Sequence, residues 1–265
     1  MSQLSDFANK VRAQLTSPGA PFEVVEASVG GRSARLYRNA FATLPQLIAS
    51  ARAHGDKPFI TWQGETWSFD RFFAEADAVA ACLRDWGVQP GDRVAIAMRN
   101  RPEWAVALVA SVMVGAVPAP LNSFGLGEEL HDALAAVEPR VFACDGERLA
   151  RIGGDTRVAG CRILCVSEAE VPEGAADYRA LASVRAEAAP MPALDPDDAA
   201  LILFTSGATS RAKGVLSTQR AVCQALFNID FIGAFSAMTS PDAVAALMKS
   251  GLAPTTLTAV PLFHV

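Results

Sequence analysis

The alternation of apolar and polar positions between residues 41 and 166 predicts a regular series of strands and helices. Short apolar runs predict strands at 57–63, 66–68, 93–98, 117–121, 140–144 and 162–167. Apolar residues that recur every three or four positions predict helices at 69–86, 102–115 and 128–137. Ser68 is placed to cap the first helix and Gly87 to end it. This order predicts an α/β fold with layered, mostly parallel β-sheets and flanking helices.

The pattern changes after residue 167. Residues 168–198 are rich in Ala, Pro, Glu and Asp, which predicts a surface connector with little regular structure. The elements predicted beyond it are a strand at 199–205, a brief strand at Val215, helices at about 218–235 and 241–250, and a final strand at 256–262. The most membrane-like stretch, Trp104–Gly127, is interrupted by prolines after about 14 apolar residues, short of the ~20 that span a bilayer. It therefore predicts a buried helix followed by a strand, and no integral membrane segment.

Composition and net charge indicate which classes of molecule the chain is expected to bind. The 265 residues are 51% hydrophobic and carry a net charge of -5, which favours a globular chain that binds small molecules and no nucleic acid. The N-terminus lacks the apolar region of a signal peptide, so we expect a cytoplasmic protein. Five cysteines without a CxxC pair predict buried thiols. Cys161 and Cys165 have no nearby histidine, so no metal ligands are predicted in this chain.

The segment with the clearest chemistry follows the predicted strand at 199–205. Small, hydroxyl-bearing residues and one lysine make up most of it: Thr205, Ser206, Gly207, Ala208, Thr209, Ser210 and Lys213. Loops of small residues let backbone amides approach phosphate oxygens, and a lysine adds a compact positive charge. The spacing fits neither a Walker A loop nor GxGxxG. By spacing alone, a solvated turn and a phosphate-binding loop both remain open.

The run FTSGATSRAKGV, Phe204 to Val215, resembles the phosphate-binding signature [YF]TSG[ST]TGxPKGV of the adenylate-forming superfamily. Ala208, Ser210 and Ala212 depart from that signature, and the last two lose a glycine and a proline that shape the loop. At the end of the chain, PLFHV resembles the family's aromatic-histidine segment, with Phe263 and His264. GVQPGDRV, NRPEW, GAVPAPLN and EPRVF resemble its framework, so the likeness covers nearly all of residues 41–265.

This resemblance implies an acyl-CoA synthetase that uses ATP, Mg²⁺ and coenzyme A to activate a carboxylic acid, expected to be a fatty or aryl acid. It implies that residues 205–210 and Lys213 bind the β- and γ-phosphates, with Lys213 as a phosphate clamp and not the adenylating lysine. Phe263 and His264 would shape the acid pocket, with His264 in the catalytic role.

The resemblance also implies an N-terminal portion of the fold: a first subdomain at about 66–205, and an incomplete second one from about 40–65 and 215–265. The family's adenine-binding segment, ribose-binding aspartate and catalytic lysine have no counterpart among the 265 residues. We therefore expect this polypeptide to be inactive by itself, with homo-oligomers formed through exposed sheet edges. Two alternatives stay open: an adenylation domain of peptide synthesis, and a non-catalytic module that binds acyl groups or nucleotides.

Overall fold

The computed structural model describes residues 3–153, 160–205, 213–253 and 255–263. The chain divides into two compact units, one made of residues 1–42 and 220–257 and the other of residues 43–219 and 258–265. Each unit has its own secondary structure and its own packing. The subdomain boundaries expected from the sequence stay a prediction.

The larger unit contains a five-stranded parallel sheet. Its strands are β5 (Arg93–Ala97), β6 (Val117–Pro120), β7 (Val141–Asp145), β8 (Arg162–Val166) and β9 (Ala175–Asp177), and their order in the sheet is β6-β5-β7-β8-β9. Helix α4 (Pro102–Met113) joins β5 to β6, and α5 (Gly127–Val137) joins β6 to β7. The chain thus turns to opposite sides of β5, which creates a topological switch point between β5 and β7. The predicted α/β class with a parallel sheet is confirmed.

Alternate residues of each strand point to opposite faces of the sheet, and each face is covered by its own hydrophobic core. Val94 and Ile96 of β5 face a core that includes Phe72 and Leu83 of helix α3 (Phe69–Asp85). Ala95 and Ala97 face a second core on the opposite side of the sheet, with Leu130 and Leu134 of α5. Because both faces are covered, the strands are apolar at almost every position.

The caps predicted for α3 are present. The Ser68 hydroxyl accepts a hydrogen bond from the backbone N–H of Arg71 at 3.2 Å, which satisfies a donor in the first turn. Gly87 has a φ of 76°, a conformation that glycine adopts readily and other residues do not. The predicted helix and both of its ends follow from local residue chemistry.

Two predictions about less regular segments need correction, one in part and one in full. The proline-rich connector has no helix or strand at 183–198, but it contains strand β9 and a short helix, α7 (Tyr178–Ala182). Tyr178 is buried there, and its hydroxyl donates a hydrogen bond of 2.6 Å to Glu75 of α3. Residues 256–262 form no strand. Their backbone is held by a side chain, Asn100, where a strand would be held by a neighbouring strand.

The other elements of this unit are short. Helix α2 (Leu44–Ala51) continues into a 3-10 turn (Arg52–His54), and β3 (Pro58–Trp62) pairs with β4 (Glu65–Ser68) in an antiparallel hairpin. Helix α6 (Gly146–Arg151) follows β7 directly. Strands β10 (Ala199–Thr205) and β11 (Lys213–Thr218) form a separate antiparallel pair. The five cysteines are buried and none is in a disulfide, as predicted.

The smaller unit combines α1 (Gln3–Thr16), the hairpin of β1 (Val24–Val29) and β2 (Arg32–Tyr37), most of α8 (Gln219–Thr239), and α9 (Pro241–Ser250). The side-chain amide of Gln224 accepts from the backbone N–H of Tyr37 at 2.8 Å and donates to its carbonyl at 3.0 Å. Phe22, Phe227 and Phe231 pack around the Tyr37 ring. These contacts fix the hairpin to α8.

Helix α8 is long and apolar enough to cross a bilayer, judged by length and composition alone. Core helices and signal sequences pass the same test, so the observation is weak evidence for a membrane segment. It corrects the choice of Trp104–Gly127 as the most membrane-like stretch. That stretch does form the buried helix α4 and then β6, as predicted.

Candidate functional site

The carboxyl ends of β5, β7 and β8 border an open cavity of about 600 Å³. It lies at the topological switch point, where open α/β sheets commonly bind ligands. Its lining includes the aromatic ring of Trp62 and a set of polar and charged residues from the strand ends: Arg99, Asn100, Asp145, Arg148 and Ser167. The sheet topology therefore gathers these residues at one edge.

A buried ion pair supports this edge. Arg148 is 1% exposed, and its guanidinium contacts both carboxylate oxygens of Asp145 at 3.0 and 3.1 Å. Its Nε also donates to the Ser123 carbonyl at 2.8 Å. The Asp145 carboxylate accepts the backbone N–H of Arg99 at 3.1 Å. One network thus connects the ends of β5 and β7 with the loop after β6.

Burial and neighbouring groups shift the pKa values of two side chains close to the cavity, Arg101 and Cys144. Burial opposes the charged form of Arg101, but the ion pair with Glu103 at 2.9 Å outweighs it, and the pKa of Arg101 is raised. Burial, together with the neighbouring Cys165 thiol, raises the pKa of Cys144 well above its usual value. Cys144 is therefore a neutral, packed thiol and a poor nucleophile at neutral pH.

Asn100 connects the end of β5 to the C-terminal segment. Its side-chain NH₂ donates to the carbonyls of Thr258 and Val260 at 3.3 and 2.9 Å, and its side-chain oxygen accepts the backbone N–H of Leu262 at 2.9 Å. Leu262 packs against the core shared with α3 and α4. The next residue, Phe263, lies against Phe124, with ring centroids 5.9 Å apart. The structure therefore places Phe263 at the carboxyl end of the parallel sheet.

The predicted phosphate-binding residues lie at the hairpin of β10 and β11. Thr205 and Lys213 are the last paired residues of the two strands, and the Thr205 hydroxyl donates to the Lys213 carbonyl at 3.5 Å. Strand β10 thus delivers the loop from an antiparallel hairpin, outside the five-stranded parallel sheet. Ser206, Gly207, Ala208, Thr209, Ser210 and His264 lie outside the described residues.

The described end of this hairpin exposes two polar groups, and their assignment to phosphate stays a prediction. Thr205 and Lys213 are exposed, and within the described part of the chain no carboxylate lies within 4 Å of the Lys213 ammonium group. A hydroxyl and an ammonium group without a competing anion suit a polyphosphate.

Among the described residues, no group of three or more His, Cys, Asp or Glu side chains could hold a metal ion, so no residue is assigned to Mg²⁺.

The sequence did not identify several residues that the structure places at the carboxyl ends of the strands. Asn100 lies in NRPEW, which was identified as framework without a role. Asp145 ends β7 and Arg148 lies in α6, and neither belongs to a motif. Phe124 carried no signal at all. Their importance appears only when the strand ends are brought together.

Comparison with known proteins finds a matching family model and similar curated proteins. Residues 47–265 match the family model described as AMP-binding enzyme. Crotonobetaine/carnitine–CoA ligase of Salmonella paratyphi A is 30% identical over 200 residues, which is 71% of this chain and 37% of that protein. L-proline–[L-prolyl-carrier protein] ligase of Streptomyces coelicolor is 31% identical over 154 residues, 56% of this chain and 29% of that protein. The chain thus spans about a third of the length of these curated relatives.

Solved structures show the same fold. The anthranilate CoA ligase AuaEII in complex with anthranoyl-AMP matches with a TM-score of 0.63 at 18% identity, over 68% of this chain and 35% of that one. MatB from Rhodopseudomonas palustris matches with a TM-score of 0.56 at 28% identity, over 66% of this chain and 35% of that one.

Proposed function

Because the chain belongs to the AMP-binding enzyme family, we propose that the protein containing these residues activates a carboxylic acid with ATP. In the proposed reaction, a carboxylate oxygen bonds to the α-phosphorus while the bond from that phosphorus to the β-phosphate bridging oxygen breaks. Pyrophosphate leaves with the electron pair, and an acyl-adenylate remains. A thiol then takes the acyl group and releases AMP.

One observation carries the proposal: Thr205 and Lys213 face each other across the neck of a hairpin whose loop resembles the family's phosphate signature. Fixed hydroxyl and amide donors together with a cation stabilise the negative charge that develops on a departing pyrophosphate. We assign residues 205–210 and Lys213 to the β- and γ-phosphates. We assign Phe263 and His264 to the acid.

The thiol and the acid are finer parts of the proposal. We favour coenzyme A, because crotonobetaine/carnitine–CoA ligase aligns over 71% of the chain. We favour a fatty or aryl acid, because the segment PLFHV resembles that of acyl-CoA ligases for such acids. The second candidate is a carrier-protein thiol, which is favoured by the similarity to L-proline–[L-prolyl-carrier protein] ligase. A module that binds nucleotide without turnover is the third, because Ser210 and Ala212 depart from the signature.

Titration calorimetry with ATP tests the phosphate assignment. We expect Lys213→Ala to weaken ATP binding about 10- to 100-fold, because a charge-assisted hydrogen bond contributes ~1.5–3 kcal/mol. Stability should stay unchanged, since Lys213 has no carboxylate partner among the described residues. Lys57→Ala, which removes another exposed lysine of the same unit, is the matched control. Equal ATP affinity in wild type and Lys213→Ala would remove the basis of the proposal.

A further inference from the structure

The C-terminal segment at 258–262 has the apolar pattern of a strand but no strand partner among the described residues. The carbonyls of Thr258 and Val260 and the N–H of Leu262 belong to alternate residues, which is the spacing of one edge of an extended chain. All three groups are bound by the single side chain of Asn100, at 3.3, 2.9 and 2.9 Å. One carboxamide thus supplies the donor and acceptor that a neighbouring strand would otherwise provide.

Asn100 is itself held in place. The preceding backbone N–H, of Arg99, donates to the buried Asp145 carboxylate, which Arg148 fixes from the other side. The Arg99 guanidinium lies 3.6 Å above the centroid of the Phe124 ring, and that ring contacts Phe263. Contacts from the end of β5 and from the loop after β6 therefore both reach the segment.

We propose that Asn100 is a positioning residue: its carboxamide fixes residues 258–262, and so sets where Phe263 lies at the carboxyl end of β5. The assignment of Phe263 to the acid rests on the proposed function, whereas the anchoring of the segment does not. The hydrogen bonds from Asn100 to the segment all go to backbone groups, so they do not depend on the identity of the side chains at 258–262. The acid pocket could then vary in its lining while the segment keeps its position.

Hydrogen exchange of the 265-residue polypeptide, measured by mass spectrometry, tests the anchor. We expect Asn100→Ala to accelerate amide exchange in a peptide covering 258–263 at least about tenfold, because three hydrogen bonds are lost. Peptides from α3 and β7 should keep their rates. Asn39→Ala is the matched control, since the Asn39 amide donates to two carbonyls in the other unit at 3.3 and 3.0 Å. Unchanged exchange at 258–263, or acceleration spread over the whole larger unit, overturns the proposal.

Asn100→Asp supplies a second readout that a general loss of stability would not mimic. An ionised carboxylate faces the Thr258 and Val260 carbonyls without a proton to donate, whereas a protonated one restores a donor. We expect the segment to be released near pH 7 and protected again near pH 4, after correction for intrinsic exchange. Asn39→Asp should show no such change at 258–263. Protection of the segment in Asn100→Asp that does not depend on pH overturns the proposal.

Titration with benzoate and octanoate in the presence of ATP connects the anchor to the acid. In Asn100→Ala we expect acid affinity to fall about tenfold or more while ATP affinity stays within about twofold. Equal acid affinity in wild type and variant overturns the role of Asn100 in the site. If wild type binds ATP and neither acid, it is the acid assignment of the proposed function that fails, and the exchange experiment alone decides on Asn100.

Discussion

Single residues at the carboxyl ends of the strands determine how rigid the candidate site is. Asp145 receives hydrogen bonds from the Arg148 side chain, from the Arg148 backbone N–H and from the Arg99 backbone N–H. Both side chains of the ion pair are more than nine-tenths buried. A buried charge that keeps its counter-charge is tolerated, but one that loses it is strongly unfavourable. The pair is therefore a point where one substitution affects three connected loops.

Arg148→Met tests this at the residue scale. We expect it to lower the free energy of unfolding by about 3–5 kcal/mol, because Asp145 is left buried without its cation. Arg179→Met is the control, since the Arg179–Glu168 pair is 54% and 81% exposed and should contribute less than about 1 kcal/mol. Urea denaturation of the two variants measures the difference. Similar small losses in both would show that the buried pair adds little.

At the scale of elements, close packing between helices has different consequences for two glycines. Gly127 begins α5, and a Cβ atom there would overlap the carbonyl oxygen of Arg151 at the end of α6. Gly233 lies inside α8, where a Cβ atom would meet nothing within 4 Å. The same substitution should therefore change stability in opposite directions at the two positions.

Gly127→Ala should destabilise the larger unit by about 1–3 kcal/mol, because backbone must move to relieve the overlap. Gly233→Ala should stabilise α8 by about 0.5–1 kcal/mol, because alanine has less conformational entropy to lose in a helix interior. Thermal unfolding followed by circular dichroism, with helix content compared before and after the transition, measures both. The packing argument fails if both substitutions change stability in the same direction.

Elements with complete local signals were predictable from the sequence. Helix α3 has an apolar face, a capping serine and a terminating glycine, and its structure follows that pattern closely. The segment at 256–262 has strand-like residues only, and its partner is the side chain of Asn100, about 160 residues earlier in the chain. A short apolar run does not reveal which groups will form hydrogen bonds with its backbone. The prediction of a final strand was therefore wrong.

At the scale of the whole molecule, several apolar side chains of the smaller unit are exposed, among them Ile229 (62%), Met248 (80%) and Leu252 (72%). Exposed apolar groups of this kind favour association with another surface. Self-association of the polypeptide accordingly stays a prediction, with light scattering over a range of concentrations as its test.

ATP–pyrophosphate exchange measures the overall reaction of the 265-residue polypeptide. We expect no carboxylate-dependent exchange above background, because the ribose-binding aspartate and adenylating lysine that the family resemblance implies are not among these residues. ATP binding in calorimetry serves as the control for a folded phosphate site. Robust exchange that depends on added benzoate or octanoate would contradict the expectation.

The sequence by itself determined the α/β class, the order of most elements and the resemblance of residues 204–215 to a family signature, because periodicity, caps and motifs are properties of neighbouring residues. Only the tertiary structure decided that Asn100 holds residues 258–262, that Asp145 and Arg148 connect three loops, and that Thr205 and Lys213 pair at the end of an antiparallel hairpin. These features depend on contacts between residues distant in the chain. The packing of parallel strands with their carboxyl ends at one edge brings those residues together.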